Sequence, residues 1–459
     1  MRRFLIVTIS IIGILLTFKL IISQPSQRLE QEIEPQLTVE VKINGSASTK
    51  CSGIPQVELP KSSISVKQLA LIVNDNDAQS VAVAKYYQQK RNIPLNNIVH
   101  VKFQAGIDEI SPDIFKAIKS EVDTNLDREI QAIDLSFTRP FRVGCMSITS
   151  AFSLGYDDDF CQPQPKRIGC RYPKIIPYYD NHSVAPFTDL GIRPSMMLAG
   201  EDTVQVMRLI DGGIKSDASF PKATGYAIAT TDKTRSVRAE EFSELAKTWS
   251  NDSGWKIQYQ NNSVGGILSN FIVHKNNVLF YFTGLARVPL IQSNRYLPGA
   301  IADHLTSFGG VLFNSPQMSI LSWLKAGAIA SYGTVVEPCN FVFKFPDPRI
   351  LVKNYYSGQT AIEAYWKSVA SPYEGVFVGD PLAKPMGVKK SLINGQLVVK
   401  LSTLQPGKTY QVYSASTPEG RYSPSSELIT LSSYQVVEIK FGCERLYHKL
   451  VEVPSLPGV

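Results

Sequence analysis

Short apolar runs alternate with stretches of helical periodicity along most of the chain. Residues 69–73 form an unbroken apolar run, as in a strand buried on both faces, and apolar positions at helical spacing follow in 78–91. Further strands are expected at 98–101, 132–137, 223–229, 257–259, 278–282, 310–313, 328–332 and 375–378. This alternation predicts an α/β domain over residues 67–385, built on a mainly parallel sheet with helices on both faces.

Helices are expected between these strands at 114–125, 239–249, 300–307 and 318–326. The stretch 147–197 does not follow this alternation of strand and helix patterns. It is rich in Tyr, Pro and Asp, and we interpret it as an insertion. Near the carboxyl terminus, four short strand patterns at 397–401, 410–414, 427–431 and 436–441 are separated by Gly, Pro and Ser turns. They predict a small β-sandwich-like module over residues 386–459.

The amino-terminal segment has the pattern of an export signal. Arg2 and Arg3 precede an apolar run from Phe4 to Ile22, and this order of charge directs the rest of the chain outside. Residues 1–23 are therefore expected to be a signal peptide or a transmembrane anchor. The polar residues 24–66 are expected to be a linker with one short strand near 37–43. The predicted location is extracytoplasmic: held at the cell membrane by the anchor, or periplasmic or extracellular.

Six cysteines follow this segment, and an even number in an exported chain is compatible with disulfides. Cys161 and Cys170 flank a proline-containing loop and are the predicted pair. No Cys-x-x-Cys occurs and the five histidines are scattered, so no metal or other cofactor is expected. The net formal charge of +7 includes three bases of the amino-terminal segment, and no basic block occurs, which argues against nucleic-acid binding.

Polar residues directly after the expected strands are candidates for a site, because ligands bind beyond the carboxyl ends of parallel strands. The candidate binding residues are Asp75, Asp77, Arg139, Arg287 and Asn314. The alternative for Asp75 and Asp77 is that they only cap the helix at 78–91. The triplet at 379–381, Gly-Asp-Pro, is interpreted as a turn.

A thiol and a histidine are the candidates for catalysis. Cys339 follows an expected strand and could act as a nucleophile if a neighbouring base formed its thiolate. His304 is the nearest candidate base along the chain, and Glu337 is the candidate third member. The alternative is that His304 is a helix residue bonded to backbone and that Cys339 is buried or disulfide-bonded.

Several common catalytic motifs are absent from the sequence. It contains no phosphate loop, no dinucleotide fingerprint after a strand and no Gly-x-Ser-x-Gly elbow. NTPase, dinucleotide-dependent and ordinary serine-hydrolase functions are therefore disfavoured. Glycosidase chemistry with two carboxylates stays open, because the pairing of carboxylates is not visible in a sequence.

Two stretches resemble an uncharacterised family of exported bacterial proteins. The first consists of LIVN at 71–74, SVAVA at 80–84 and RNIP at 91–94. The second begins with LPGAIADHLTSFGG at 297–310 and continues with WLKAGA at 323–328, GTVVEPC at 333–339, EAYWKSV at 363–369 and VGDPL at 378–382. The resemblance covers about residues 67–385 and implies export, but it implies no activity.

A more remote resemblance is to gingipain-type cysteine peptidases of the caspase fold. In that pattern one strand ends in a Gly-His-Gly turn, the next strand ends in the nucleophilic cysteine, and a Gly-Asp-Pro and an immunoglobulin-like module follow. The order of elements from residue 278 to 381 is similar, which implies a caspase-like sheet. The dyad is not matched, because Thr283-Gly284 stands at the histidine turn and Asn314-Ser315 is expected at the position of the cysteine.

These observations lead to three hypotheses for the function. The first is a degenerate caspase-fold protein that binds a peptide or another component of the cell envelope. The second is a cysteine-peptidase-like hydrolase with a relocated site at Cys339 and His304. The third is an envelope scaffold whose β module docks partners.

Overall fold

The computed structural model describes residues 38–43, 53–162, 171–249, 253–263, 269–393, 396–442 and 444–454. The segment 1–23, interpreted above as a signal peptide or anchor, lies outside these residues. Within them, no helix is both long enough and apolar enough to cross a membrane.

The described residues form 22 strands and ten α-helices, which we number in chain order. The strands are β1 (Thr38–Lys42), β2 (Gln56–Glu58), β3 (Leu69–Asn74), β4 (Ile98–Val101), β5 (Glu109–Ile110), β6 (Ala132–Leu135), β7 (Arg142–Val143), β8 (Met146–Ser147), β9 (Ser195–Met197), β10 (Ala223–Ala229), β11 (Trp255–Asn261), β12 (Val278–Thr283), β13 (Tyr296–His304), β14 (Ala330–Thr334), β15 (Gly375–Gly379), β16 (Lys389–Ile393), β17 (Gln396–Leu401), β18 (Thr409–Ala415), β19 (Ser423–Pro424), β20 (Ile429–Thr430), β21 (Val436–Phe441) and β22 (Tyr447–Val453). The helices are α1 (Ala78–Arg91), α2 (Pro112–Asn125), α3 (Ile148–Leu154), α4 (Asp158–Cys161), α5 (Pro186–Leu190), α6 (Thr203–Ser216), α7 (Ala239–Thr248), α8 (Leu321–Ala326), α9 (Pro348–Tyr356) and α10 (Ala361–Ser368).

Ten strands form one large sheet in the order β11-β10-β12-β13-β14-β15-β9-β6-β3-β4. All neighbours in it are parallel except β14 and β15, which are antiparallel. The mainly parallel sheet with helices is therefore confirmed. Strands β3, β12 and β15 are buried along their whole length, which explains their unbroken apolar runs.

Local signals explain where the first helices begin and end. The Asp77 side chain accepts from Gln79 N at the start of α1, and the helix ends at Asn92 in the left-handed conformation. Ser111 accepts from Ile114 N at the start of α2, where Pro112 occupies the first turn. These caps lie within the sequence itself, so both helices were predicted almost to the residue.

Two smaller sheets form the carboxyl-terminal module around a separate apolar core. One sheet has the order β1-β21-β17-β16, and the other has the order β19-β18-β22-β2. The strands β1 and β2 belong to the segment interpreted as a linker, and they pair in parallel with β21 and β22. The polar segment before the α/β domain thus contributes a strand to each sheet of the module.

Three expected elements differ from the structure. Residues 300–307 were expected to be helical, but most of them belong to β13, which pairs with β12 on one side and β14 on the other. Residues 310–313 were expected to be a strand and instead belong to the loop that precedes α8. The stretch 147–197 ends in β9, a strand of the large sheet between β15 and β6, which sequence reasoning missed.

Candidate functional site

The carboxyl ends of β10, β12 and β13 meet at one edge of the large sheet. Thr230, the residue after β10, donates through its hydroxyl to Gly284 O at 2.7 Å, and Leu305 N donates to Thr283 O at 2.9 Å. A Cβ atom on Gly284 would lie 1.9 Å from Arg235 O, so this close approach of two loops requires glycine. This is the edge at which the sequence analysis expected a site.

His304, the expected base, is the last residue of β13 and is only 2% exposed. The Trp323 indole donates to His304 Nδ1 at 3.0 Å, so Nδ1 accepts and the proton is on Nε2. Nε2 then donates to Met318 O at 3.0 Å. Burial lowers the pKa of His304 to about 4. The imidazole is therefore neutral, and both of its nitrogens are already bonded. This agrees with the alternative that His304 is bonded to backbone, although His304 lies in a strand and not in a helix.

Cys339, the expected nucleophile, is disulfide-bonded, and this contradicts its assignment. A nucleophilic cysteine must be a free thiolate, and a sulfur in a disulfide has no thiol proton to lose. Glu337, the expected third member, accepts from Cys339 N at 2.7 Å and so fixes the local turn. Cys339 itself has a positive φ of 55°. The predicted site at Cys339, His304 and Glu337 is therefore not an activated dyad or triad.

The described disulfide joins Cys145 to Cys161, with a Cα–Cα distance of 5.4 Å. The predicted pairing of Cys161 with Cys170 is therefore wrong, and Cys170 itself lies outside the described residues. Cys145 is in the turn between β7 and β8, and Cys161 ends α4, so the bridge closes the start of the insertion. The partner is 16 residues earlier in the chain, on the other side of α3, and no local spacing pattern marks it.

Two arginines contact one loop at this edge, and a third follows a residue bonded to it; we call it the β13–α8 loop (residues 305–320). Arg235 Nε donates to Thr306 Oγ1 at 3.0 Å. The Arg139 guanidinium lies over the Phe313 ring, 3.8 Å from its centroid. Arg287 follows Ala286, whose carbonyl accepts from Met318 N at 2.9 Å. The structure thus brings two of the predicted binding residues, Arg139 and Arg287, to the same loop.

The three arginines at this loop differ in whether a carboxylate forms an ion pair with them. Arg139 Nε lies 2.9 Å from Asp108 Oδ1, and Arg235 pairs with Asp232 at 2.8 Å. Arg287 is exposed and forms no ion pair with any of the described residues. Asn314, a third predicted binding residue, is exposed in the β13–α8 loop with a φ of 55°. The edge therefore presents to solvent one arginine, Arg287, whose charge is not paired within the described residues.

Asp75 and Asp77, the remaining predicted binding residues, have structural partners. Asp77 caps α1 as described above, so the capping alternative is confirmed for this residue. Asp75 Oδ1 lies 2.6 Å from Nδ1 of His100, which is largely exposed. The preceding buried residue, Asn74, accepts from Asn76 N and Phe103 N through its Oδ1. This corner therefore lies at the ends of β3 and β4, whereas Arg235 and Arg287 follow β10 and β12.

A buried ion pair lies directly behind the edge and was missed by sequence reasoning. Arg238 Nη2 donates to Asp303 Oδ1 at 2.7 Å and to Thr283 O at 3.0 Å, and its Nη1 donates to Pro346 O at 3.1 Å. Both side chains are almost fully buried. Asp303 and His304 are adjacent in β13 and point to opposite faces, so Asp303 faces Arg238 beside α7 while His304 faces α8. The only sequence signal was an acidic residue within an apolar run.

A second buried cluster lies around Asp380, which was interpreted as part of a turn. Asp380 is fully buried, accepts from the Tyr87 hydroxyl at 2.6 Å and forms an ion pair with Arg91. Arg91 also pairs with Asp217, and burial raises the pKa of Asp217 to about 6. The cluster joins α1, α6 and β15, so Asp380 is a tertiary contact as well as a turn residue.

Comparisons with known proteins found no match among family models, curated proteins or solved structures. Within the described residues, no group of three or more His, Cys, Asp or Glu side chains could hold a metal ion.

Proposed function

We propose that this chain is an exported or membrane-anchored binding protein. Its caspase-like domain lacks the peptidase dyad and binds an acidic peptide as its ligand. The resemblance to gingipain-type peptidases supports the fold assignment. The elements β12, β13, β14 and α10 follow in the order of that pattern, and a Gly-Asp-Pro and a β module come after them.

The ends of two consecutive strands support the loss of cleavage activity. In the peptidase pattern, the histidine follows one strand and the cysteine follows the next. Here β12 ends at Thr283 before Gly284, and the next strand is β13, which ends at His304 before Leu305. The position of the nucleophile therefore corresponds to His304 and Leu305, and not to Asn314 and Ser315 as expected. Neither strand end carries a cysteine.

The observation that carries the binding proposal is the surface formed by three arginines around the β13–α8 loop. Arg139 and Arg235 contact this loop, and Arg287 follows Ala286, which is bonded to it. Arg287 has no carboxylate partner among the described residues. Guanidinium groups bind carboxylates through paired hydrogen bonds, so an acidic peptide fits this surface. The location at the carboxyl ends of parallel strands agrees with the usual position of ligands in such sheets.

Two features support the proposed location outside the cytoplasm. The amino-terminal segment has two arginines before an apolar run, and the chain has a disulfide between Cys145 and Cys161. Structural disulfides form and persist mainly in oxidising compartments. Fractionation of cells, followed by extraction of the membrane fraction with detergent, would test whether the chain is exported and whether it is anchored.

Binding can be tested by fluorescence anisotropy with the full chain, a labelled hexaglutamate and a labelled hexaglutamine of the same length. We expect hexaglutamate to bind in a salt-dependent manner and hexaglutamine to bind at least tenfold more weakly. Arg287→Gln should weaken the binding of hexaglutamate several-fold, because it removes an exposed charge without breaking an ion pair. Arg128→Gln is the matched control, because Arg128 is exposed before β6, at the amino end of that strand.

Mass spectrometry of the hexaglutamate and of a mixed peptide library after incubation would detect cleavage. Intact peptides are expected. Cleavage of the hexaglutamate or of the library peptides by the unchanged protein, or equal binding of the two labelled peptides, would contradict the proposal.

A further inference from the structure

Three large apolar side chains are exposed where the insertion meets the loop between β14 and α9. Tyr172, Ile175 and Phe343 are 66%, 67% and 56% exposed. Exposed apolar residues that stand singly are common on soluble proteins, whereas a contiguous group of them marks a binding surface. We call these three residues, which come from two distant segments of the chain, the apolar patch.

Hydrogen bonds to one serine hold the two segments of the apolar patch side by side. Ser371 N donates to Phe343 O at 2.8 Å, and Ser371 Oγ accepts from Lys174 N at 3.1 Å. Because a single small residue makes both bonds, Phe343 O and Lys174 N are within about 10 Å of each other. Ile175 directly follows Lys174, so its side chain and that of Phe343 are near enough to contact one ligand.

A buried lysine fixes the backbone on both sides of the apolar patch. Lys344 directly follows Phe343 and is fully buried. Its Nζ donates to Glu374 Oε1 at 2.5 Å and to Arg171 O at 2.7 Å, and Tyr172 directly follows Arg171. Exposed side chains on a backbone that is already fixed lose less conformational entropy when a ligand binds them. The apolar patch is therefore preorganised for binding.

The apolar patch lies at the same edge of the large sheet as the arginines around the β13–α8 loop. The Arg238 guanidinium donates to Pro346 O and to Thr283 O, so these two carbonyls are within about 8 Å of each other. Phe343 precedes Pro346 by three residues, or about 11 Å of extended chain at most. Thr283 ends β12, and the next residue packs against the backbone of Arg235. The backbones of Phe343 and Arg235 are therefore no more than roughly 30 Å apart, and an extended peptide of about ten residues spans this distance.

The size of the apolar patch favours a peptide over a second copy of the chain. Its three side chains expose roughly 400 Å², whereas a stable interface between two proteins buries roughly 800 Å² on each partner. We propose that the acidic peptide ligand also carries apolar side chains, which bind to the apolar patch while its carboxylates bind to the arginines around the β13–α8 loop. This inference rests on the proposed function, because it takes an acidic peptide as the ligand.

Fluorescence anisotropy with the full chain and three labelled twelve-residue peptides can test this inference. The first peptide has six glutamates, four glycines, a leucine and a phenylalanine. In the second, glycines replace the leucine and the phenylalanine, and in the third, glutamines replace the glutamates. The first peptide should bind at least fivefold more tightly than the second and at least tenfold more tightly than the third.

Variants of the apolar patch assign the gain in affinity to its side chains. Phe343→Ser should weaken the binding of the first peptide to the level of the second and leave the second unchanged. Ile175→Ser should act in the same direction, and it tests the apolar patch even if Phe343→Ser is unstable. Leu95→Ser is the matched control, because Leu95 is 72% exposed and lies before β4, away from the carboxyl edge.

The outcomes separate this inference from the proposed function. Equal binding of the first and second peptides, or tighter binding of the first that persists in both patch variants, would overturn the inference and leave the proposed function standing. Binding of the third peptide as tight as that of the first would show that the apolar patch does not serve an acidic ligand. If neither glutamate peptide binds, the proposed function fails, and this inference fails with it.

Discussion

Replacing Gly213 by alanine should destabilise the protein even though alanine favours helices. Gly213 lies in α6, and a Cβ atom there would lie 1.9 Å from Asp380 Oδ2 and 2.7 Å from Asp380 Cγ. To relieve this overlap, Asp380 must move, which breaks its ion pair with Arg91 and its hydrogen bond from Tyr87. The alternative is a shift of α6, which would disturb the ion pair between Arg91 and Asp217 at the end of that helix.

The magnitude follows from two opposing contributions. Breaking a buried ion pair costs about 3–5 kcal/mol, and the change from glycine to alanine inside a helix contributes about 1 kcal/mol of stability. Gly213→Ala should therefore lower the free energy of unfolding by about 2–4 kcal/mol. The neighbouring Gly212→Ala is the matched control, because its Cβ would meet only Ile329 Cγ2 at 3.3 Å. Its stability should stay within about 1 kcal/mol of the unchanged protein.

Urea unfolding of the full chain, followed by circular dichroism, measures both variants under one condition. The double variant Gly213→Ala, Asp380→Ala adds a further check. Without the aspartate there is no overlap, so the alanine at 213 should cost nothing beyond the effect of Asp380→Ala alone. Equal midpoints for Gly212→Ala and Gly213→Ala, with equal slopes, would refute the role assigned to Asp380.

Two further predictions concern buried titratable groups. Long-range nitrogen NMR should find the His304 ring neutral with its proton on Nε2 from pH 8 to pH 5, because its pKa is about 4; a protonated ring at pH 6 would contradict the bond from Trp323. Lys367 is fully buried over the Tyr178 ring, its Nζ has no hydrogen-bond partner among the described residues, and burial lowers its pKa from 10.5 to about 8. Above pH 8 the unfolded chain binds this proton more strongly than the folded protein, so folding stability rises with pH up to about 10.5. Lys367→Met should therefore raise the free energy of unfolding by up to about 3 kcal/mol at pH 7, and this gain should shrink between pH 8 and 10.5. A gain in stability that does not depend on pH would disprove the lowered pKa of Lys367.

The candidate site was predicted only in part, and His304 and Cys339 show why. Both residues were recognised as chemically capable, but reactivity depends on their partners. The indole of Trp323 lies 19 residues from His304 and fixes its tautomer, and the sulfur of Cys339 is held in a disulfide. A sequence reveals that such groups exist, but not which contacts they make after folding. Arg139 and Arg287 follow the carboxyl ends of β6 and β12, as periodicity predicted, and their role in binding stays a prediction.

What the sequence determined by itself is the set of elements whose signals are local. The apolar runs of β3, β4 and β10 and the capped helix α1 lie where periodicity and capping predicted them, because each depends on neighbouring residues. The alternation of these elements also predicts the mainly parallel sheet, since a helix between two strands lets the second strand run in the same direction as the first.

Only the tertiary structure decided the pairings between distant segments. Residues 300–304 have an apolar pattern compatible with a helix, yet they form β13 because β12 and β14 satisfy their backbone hydrogen bonds on both sides. The same reason explains β9, whose three residues are a strand only because β6 and β15 flank them. Cys161 likewise selects Cys145, because a disulfide requires Cα atoms about 5–6 Å apart in the fold, whatever their spacing along the chain.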